Sequence, residues 1–232
     1  MMDSPHFNES MDEDWVLDDG HEIVDFPEGN QYIVPIFEAP QFNMHKGCGI
    51  FVDNYLITVG HVALDKNDSP LQQVYVYYKD SFIQLNDENI IYDGRGNPDK
   101  DGVHDDLLIY QVSGVDSPFT LNEQNIKTGQ ILYTEPYDYI EEKNDVRQSG
   151  NECKIISLHG KVLNGDGVWS NCFSVNNPCI FHSGNSGSAL FRRNVVFGLL
   201  IGGDCTGNNG RWYTILDARY IKTIIDNKAS PS

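Results

Sequence analysis

Short apolar segments separated by turn-forming residues recur along most of the chain, and this pattern begins near Tyr32. Within the segments apolar and polar positions tend to alternate, and Gly, Asn, Asp or Pro often stands between them, which is typical of β-strands joined by turns. The predicted strands cover residues 32–37, 49–52, 55–59, 74–78, 82–85, 107–112, 131–134, 154–158, 169–175, 189–191, 195–201 and 212–216. Only Asp53 and Asn54 separate 49–52 from 55–59, so this pair is predicted to form a β-hairpin.

Clear helical spacing of apolar residues appears at the end of the chain. The residues concerned are Leu216, Tyr220, Ile221, Ile224 and Ile225, and Asp217 stands where a helix N-cap is expected. Many short strands followed by one terminal helix predict an all-β protein. The repeated turn signals between the strands favour β-barrels.

Composition divides the chain into four predicted parts. Residues 1–30 are acidic and lack apolar periodicity, so we expect a disordered leader. Such a leader either solubilises the protein or is a removable or regulatory segment, to which a regulatory partner could bind. Residues 31–115 are expected to form an N-terminal β-barrel, residues 116–130 a connector, and residues 131–232 a C-terminal β-barrel with the terminal helix.

Charge and cysteine content limit the expected partners and location. The formal net charge of −18 repels phosphate, so no nucleic acid partner is expected. No apolar stretch approaches the roughly 20 residues of a membrane helix, and the N-terminus does not resemble a secretory signal. We therefore expect no membrane partner and a cytoplasmic location. The five cysteines fit no common zinc spacing and are expected to be mostly reduced, buried thiols.

Three residues could together supply nucleophilic catalysis. Ser186 lies between glycines before an apolar segment, where a tight turn would expose its hydroxyl and aim nearby N–H groups at an oxyanion. His61 follows the strand predicted at 55–59, and Asp106 precedes the strand predicted at 107–112. Each alone has an ordinary structural explanation. Together they provide a hydroxyl, a base to activate it and an acid to orient the base.

The order His61, Asp106, Ser186 excludes an α/β-hydrolase, in which the serine comes first, and Ser188 breaks that fold's G-x-S-x-G motif. Four segments resemble those of trypsin-like serine peptidases, namely residues 47–62, 106–109, 184–188 and 198–203. The motifs are especially similar to bacterial glutamyl-endopeptidase-like and viral 3C-like serine members. The resemblance covers about residues 32–226.

This resemblance implies a chymotrypsin-like fold, with two six-stranded antiparallel β-barrels, and an endopeptidase that works through an acyl-enzyme. His61 would be the general base, oriented by Asp106, and Ser186 would be the nucleophile. The N–H groups of Gly184 and Ser186 would form the oxyanion hole. The expected substrate is a protein or peptide, and no metal or other cofactor is expected. Asp105 competes for the acid role, but the family places its acid directly before the apolar strand.

Departures from the family pattern change some of these expectations. Val62 stands where vertebrate-type enzymes carry a cysteine, so the disulfide beside the histidine is absent. Ile201 replaces a serine that supports the acid in many members, so another group is expected to satisfy Asp106. Asn185 replaces the aspartate that pairs with a new N-terminal ammonium in many zymogens, so that activation switch is not expected.

The resemblance also assigns a pocket for the substrate residue before the scissile bond, called P1. Its predicted residues are Ile180, Phe181, Leu200, Gly202 and Gly203. Ile180 stands in place of the acid that selects Arg or Lys. Leu200 stands in place of the histidine that selects an acidic or amide residue, so an apolar P1 residue is expected. Arg211 leaves an alternative open, because pointing inward it could pair with an acidic P1 residue.

Two other functions stay open from the sequence. A catalytically silent member of the same fold could serve as a binding or interaction module, although the intact triad argues against it. A viral or phage protein that processes a polyprotein or has a structural role is also compatible with the charged leader.

Overall fold

A computed structural model of the chain describes residues 31–95, 103–158, 161–164, 167–176, 181–182, 184–207 and 210–229. The leader predicted at residues 1–30 lies outside these ranges, as does part of the predicted P1 pocket. The described part consists mainly of β-strands, in agreement with the predicted all-β class.

Nineteen strands and one α-helix lie in the described ranges, and they are numbered in chain order. The first eight strands are β1 (Ile33–Phe37), β2 (His45–Val52), β3 (Tyr55–Val59), β4 (Gln73–Tyr78), β5 (Ser81–Asn86), β6 (Ile90–Asp93), β7 (Val103–His104) and β8 (Leu107–Gln111). The others are β9 (Thr120–Leu121), β10 (Ile131–Thr134), β11 (Tyr137–Ile140), β12 (Asp145–Gln148), β13 (Asn151–Ser157), β14 (Lys161–Asn164), β15 (Gly167–Ser170), β16 (Cys172–Asn176), β17 (Ala189–Arg192), β18 (Val195–Gly207) and β19 (Gly210–Asp217). Helix α1 spans Ala218–Ala229, and short 3-10 turns occupy Phe42–Met44, Gly60–Ala63, Asp87–Asn89 and Glu141–Lys143.

The first sheet contains seven antiparallel strands in the order β5-β4-β1-β2-β3-β8-β6. The predicted hairpin between β2 and β3 is present, with Val52 opposite Tyr55. Its two-residue turn takes a left-handed backbone at Asp53, where φ is 50°. Asparagine and aspartate tolerate this conformation better than most residues, which explains the turn sequence.

The second sheet closes into a barrel of six antiparallel strands in the order β17-β10-β13-β16-β19-β18. Closure occurs because β17 pairs both with β10 and with β18. Strand β9 then adds to β18 in parallel, with Thr120 opposite Val195. The predicted connector at 116–130 therefore contributes one short strand to the second sheet.

The first sheet is curled but open in the described part of the chain, whereas the sequence predicts a second closed barrel. The 3-10 turn Asp87–Asn89 directs the chain from β5 onto β8 instead of back along β5. Asn86 and Asn89 stabilise this turn through a reciprocal capping box. As a result β5 and β6 are the two edges of the sheet and do not pair with each other.

One hydrophobic core joins the two sheets. It contains buried residues of the first sheet, such as Ile50 and Leu108, and buried residues of the second, such as Phe191 and Leu216. Phe119 links the two sets, because its ring meets that of Tyr32 at 6.5 Å and that of Phe191 at 5.5 Å, both edge to face. Each such buried side chain contributes about 1.5–3 kcal/mol of transfer free energy. The cleft between the sheets therefore has a rigid floor.

The predicted terminal helix is present, and Asp217 caps it as predicted. The N–H of Arg219 donates to Asp217 Oδ1 at 2.8 Å, and Ile221 is fully buried against the core. No helix within the described ranges is long and apolar enough to cross a membrane. Two small sheets complete the fold, one formed by β11 and β12 and the other by β14, β15 and β7.

Candidate active site

His61 lies just after the C-terminal end of β3, in the 3-10 turn Gly60–Ala63. The turn begins where the apolar strand ends, and the N–H of Gly60 donates to the carbonyl oxygen of Asp106 at 2.8 Å. The imidazole is 41% exposed, so it faces the cleft instead of the core. The turn thus presents a histidine to solvent from a fixed backbone.

Asp106 is 2% exposed and lies directly before β8, next to His61. Its Oδ2 lies 2.6 Å from His61 Nδ1, and its Oδ1 accepts the backbone N–H of His61 at 2.8 Å. A carboxylate in this position keeps the imidazole proton on Nδ1, so Nε2 can accept a proton. The N–H of His61 is therefore one of the groups that satisfy the acid where Ile201 cannot.

Asp105, the competing acid, is directed elsewhere. Its Oδ2 accepts hydrogen bonds from the hydroxyl of Tyr220 at 2.9 Å and from the hydroxyl of Tyr92. These contacts connect the start of β8 to the C-terminal helix, and burial raises the pKa of both tyrosines. Of the two adjacent aspartates, it is Asp106 that contacts His61.

Ser186 lies in a tight loop before β17, as the glycine pattern predicts. Two flanking glycines adopt left-handed backbones, with φ of 101° at Gly184 and 84° at Gly187. A Cβ on Gly187 would lie 2.0 Å from the carbonyl oxygen of Cys48, so the position has no room for a side chain. The loop is thus pressed against β2 of the first sheet.

Backbone hydrogen bonds fix the Ser186 loop from both sheets. The N–H of Cys48 donates to the carbonyl of Ser186 at 2.8 Å, and the N–H of Gly187 donates to the carbonyl of Leu200 at 2.7 Å. Ser188 closes the loop internally, because its hydroxyl donates to the carbonyl of Asn185 at 2.6 Å. The predicted nucleophile is therefore held at the junction of the two sheets.

The Ser186 hydroxyl donates to the carbonyl of Ile201 at 3.3 Å. Among the described residues, no hydrogen bond joins Ser186 to His61. Catalytic hydrogen bonds are often long without substrate and shorten when it binds, so this geometry is compatible with a triad. The N–H groups of Gly184 and Ser186 donate to no described residue, which leaves them available to an oxyanion.

The predicted P1 pocket is described only in part. The ring of Phe181 meets that of Tyr213 edge to face at 4.7 Å, and Leu200 is 2% exposed within the core of the second barrel. A Cβ on Gly202 would lie within 4 Å of no atom of the described residues. Ile180 lies outside the described residues, as do the side chain of Arg211 and the surroundings of Gly203.

A cavity of about 680 Å³ lies beside the Ser186 loop, and the sequence does not predict it. It is lined by His45, Lys46, Asp138, Tyr139, His182 and Gly184. These residues come from three distant segments with no shared motif, so nothing in the sequence places them together. Among the described residues, no cluster of His, Cys, Asp and Glu side chains could hold a metal ion.

Burial shifts the pKa of two side chains beside the Ser186 loop. It lowers the pKa of His45, because the charged imidazolium is less well solvated there. It raises the pKa of Cys48 to about 11, so this fully buried thiol stays protonated. The Cys48 side chain donates to the carbonyl of Gly184 at 3.7 Å and accepts the N–H of Tyr137 at 3.3 Å.

Comparison with known proteins identifies the fold and nothing finer. No protein-family model and no curated protein matches the chain. The active form of the Rv3671c protease from M. tuberculosis is 18% identical over 87% of this chain and 82% of its own, with a TM-score of 0.60. Neuropsin, a serine protease expressed in the limbic system of mouse brain, is 16% identical over 88% of this chain and 97% of its own, with a TM-score of 0.63.

A mutant of human heparin binding protein (CAP37) is also similar, with 11% identity, a TM-score of 0.59 and coverage of 89% of this chain and 96% of its own. The chain therefore has the chymotrypsin fold, with one closed six-stranded barrel, one curled sheet and a C-terminal helix. Both Rv3671c and neuropsin are proteases, and neuropsin is a serine protease.

Proposed function

We propose that the protein is a serine endopeptidase, with Ser186 as nucleophile, His61 as general base and Asp106 as the acid that orients it. The observation that carries this proposal is the 2.6 Å contact between His61 Nδ1 and the buried Asp106 carboxylate. A buried acid bonded to an exposed imidazole prepares that imidazole to accept a proton. The chymotrypsin fold and the structural similarity to known proteases support the same assignment of function.

In the proposed reaction, Ser186 Oγ attacks the carbonyl carbon of the scissile peptide bond and its proton passes to His61 Nε2. The negative charge develops on the carbonyl oxygen, where the N–H groups of Gly184 and Ser186 can stabilise it. The intermediate then breaks its C–N bond, and His61 gives the proton to the leaving amine. Water, activated by the same base, hydrolyses the ester of Ser186 and restores the free hydroxyl.

For the substrate, we propose an apolar P1 residue such as Leu, Phe, Tyr or Met. The proposal rests on the sequence assignment of Ile180 and Leu200, and it agrees with the absence of described atoms within 4 Å of a Cβ on Gly202. A peptide-library cleavage profile tests it. A profile dominated by Asp or Glu, and lost in Arg211→Ala, would instead identify Arg211 as the group that selects an acidic residue.

A catalytically silent binding module is the second candidate, because the Ser186 hydroxyl is bonded to the Ile201 carbonyl and not to His61. A fluorophosphonate probe separates the two candidates, since it reacts with an activated serine. We expect labelling of the wild type and none of Ser186→Ala or His61→Ala. Ser81 is exposed and lies outside the loop, so Ser81→Ala is the matched control and should label normally. An unlabelled wild type, folded by circular dichroism, would favour the binding module.

Four further parts of the proposal rest mainly on sequence. The motifs of the Ser186 loop support a position near the bacterial glutamyl-endopeptidase-like and viral 3C-like members. The boundaries at residues 30, 115 and 130, and a regulatory partner for the acidic leader, stay predictions. A cytoplasmic location is also a prediction, supported by Cys48, which is a buried thiol.

A further inference from the structure

Asn185 is a buried polar residue between the two proposed oxyanion donors. It is 1% exposed, and its side chain makes three hydrogen bonds. Its Oδ1 accepts the N–H of His182 at 2.7 Å. Its Nδ2 donates to the carbonyl of Tyr137 at 3.0 Å and to Asp138 Oδ1 at 2.8 Å. Both hydrogens and the oxygen of the amide are therefore used, as a buried amide requires.

Two of these three partners belong to a single hairpin. Strands β11 and β12 form a separate two-stranded sheet, with Asp138 opposite Arg147. Asp138 is anchored within that region, since its Oδ2 accepts the hydroxyl of Ser149 at 3.4 Å. The nucleophile loop is thus attached by an amide to a hairpin outside both large sheets.

A second connection runs between the same two segments. The N–H of Tyr137 donates to Cys48 Sγ at 3.3 Å, and Cys48 Sγ in turn donates to the carbonyl of Gly184 at 3.7 Å. The hairpin is therefore linked to the loop directly at Asn185 and, through Cys48, at Gly184. Of these contacts, the one to the Asp138 carboxylate carries charge, and charged acceptors form hydrogen bonds about twice as strong as neutral ones.

We propose that Asp138 is a positioning residue, whose carboxylate orients Asn185 and so aligns the N–H groups of Gly184 and Ser186. The inference rests on the proposed function. It goes beyond it by identifying what assembles the oxyanion hole. In this arrangement the Asn185 amide donates to the Asp138 carboxylate of the same chain. The loop is therefore held without the N-terminal ammonium that pairs with an aspartate at this position in many zymogens.

Exchanging the two side chains tests the proposal. Asn185→Asp would set two carboxylates 2.8 Å apart, and their repulsion should pull the loop from its position. Adding Asp138→Asn restores one amide and one carboxylate with donor and acceptor reversed. We expect Asn185→Asp to slow fluorophosphonate labelling at least about tenfold. The double variant should recover part of that rate and not all of it, because the Tyr137 carbonyl lacks the Asn185 amide donor in both variants. Partial recovery is still a result that independent structural roles of the two residues would not predict.

Peptide kinetics supply a second readout. Because the contact acts on oxyanion stabilisation, Asn185→Asp and Asp138→Ala should lower kcat with little change in KM. Asp138→Asn keeps an acceptor oxygen and should have the smaller effect. Asp145 is an exposed aspartate of the same hairpin, so Asp145→Ala is the matched control and should leave kcat and KM unchanged.

The outcomes separate this proposal from the proposed function. A wild type that fails to label overturns the proposed function. A wild type that labels, with Asn185→Asp labelling equally fast, overturns the role of Asp138 alone. The role is also overturned if the double variant is as slow as Asn185→Asp while its melting temperature matches the wild type.

Discussion

The backbone N–H of Cys48 donates to the carbonyl of Ser186 at 2.8 Å, and this bond joins the two sheets at the proposed nucleophile. Cys48 belongs to β2, which pairs with β3, the strand that leads to His61. The distance between nucleophile and base is therefore set by adjacent backbone and not by mobile side chains. Such preorganisation is what proton transfer between them requires.

The proposed triad predicts a large loss of turnover in Ser186→Ala. We expect a fall of about 10⁴-fold or more in kcat, with a similar loss for His61→Ala. The fold should persist, because the serine hydroxyl is partly exposed and makes a single long hydrogen bond. Peptide hydrolysis and thermal unfolding measured on the same preparations check both statements. Peptidase activity retained by a pure Ser186→Ala sample would remove Ser186 from the mechanism.

Gly187→Ala should damage the loop through steric overlap as well as backbone strain. A Cβ there would lie 2.0 Å from the Cys48 carbonyl oxygen and 2.7 Å from Thr58 Oγ1. Gly129→Ala is the matched control, since Gly129 has nearly the same φ, 88°, and no atom within 4 Å of the added carbon. We expect the control to lose only the about 1–2 kcal/mol of left-handed strain. Gly187→Ala should lose more in urea unfolding and label more slowly, and equal losses would contradict the close approach.

The half-buried imidazole of His45 predicts acid sensitivity of the fold. Burial lowers its pKa from 6.5, although a hydrogen bond to Gly47 and the charge of Asp138 act in the opposite direction. The unfolded chain therefore binds the proton more readily, and stability should fall as pH decreases below about 6.5. His45→Phe should reduce this pH dependence between about pH 7 and 5.

The measurement for His45 is the melting temperature as a function of pH, made in a Ser186→Ala background so that self-cleavage cannot interfere. Phenylalanine keeps an aromatic ring against Phe37, which lies 5.5 Å away from the imidazole. Identical pH slopes in the two proteins would show that His45 does not titrate differently in the folded chain.

Cys48 should be unreactive in the folded protein. Its pKa of about 11 leaves little thiolate at pH 8, and the side chain is fully buried. Iodoacetamide followed by mass spectrometry of the Cys48 peptide should show modification in urea and almost none in buffer. Rapid labelling under native conditions would mean that the loop opens far more often than its hydrogen bonds suggest.

Asp105 should matter for stability and not for turnover. Asp105→Ala removes the acceptor shared by Tyr92 and Tyr220 and leaves the two hydroxyls only their mutual 3.5 Å contact, a loss of about 1–3 kcal/mol. Tyr220→Phe removes only one donor and should cost less. Urea unfolding measures the loss, and the rate of probe labelling should stay near that of the wild type. A rate as low as that of Asp106→Ala would reassign the acid.

The strongly apolar strands could be predicted from sequence because their burial dictates their composition. Strands β3 and β10 have the predicted bounds, and β8 differs by one residue at its end. Residues 169–175 were predicted as one strand but form β15 and β16, because Asn171 takes a left-handed backbone with φ of 56° between them. A turn of this kind leaves no signal in the apolar pattern.

The hairpin β11–β12 was missed for the opposite reason. Its residues are half-buried or exposed, so polar and charged side chains dilute the alternation that would reveal the strands. The contact between His61 and Asp106 could be predicted because the order and flanking strands of these residues form a recognisable pattern. The contact between Asp138 and Asn185 could not, since it joins residues 47 positions apart through tertiary structure alone.

The shared core of the two sheets has a consequence for how the chain behaves outside its native state. Phe119 packs against Tyr32 of the first half as well as against Phe191 of the second, so neither half can shield its own aromatic surface when separated. Fragments cut near residue 115 and expressed individually would expose these rings and unpaired strand edges, which favours aggregation over independent folding. Heat or denaturant should accordingly melt both halves in one cooperative transition.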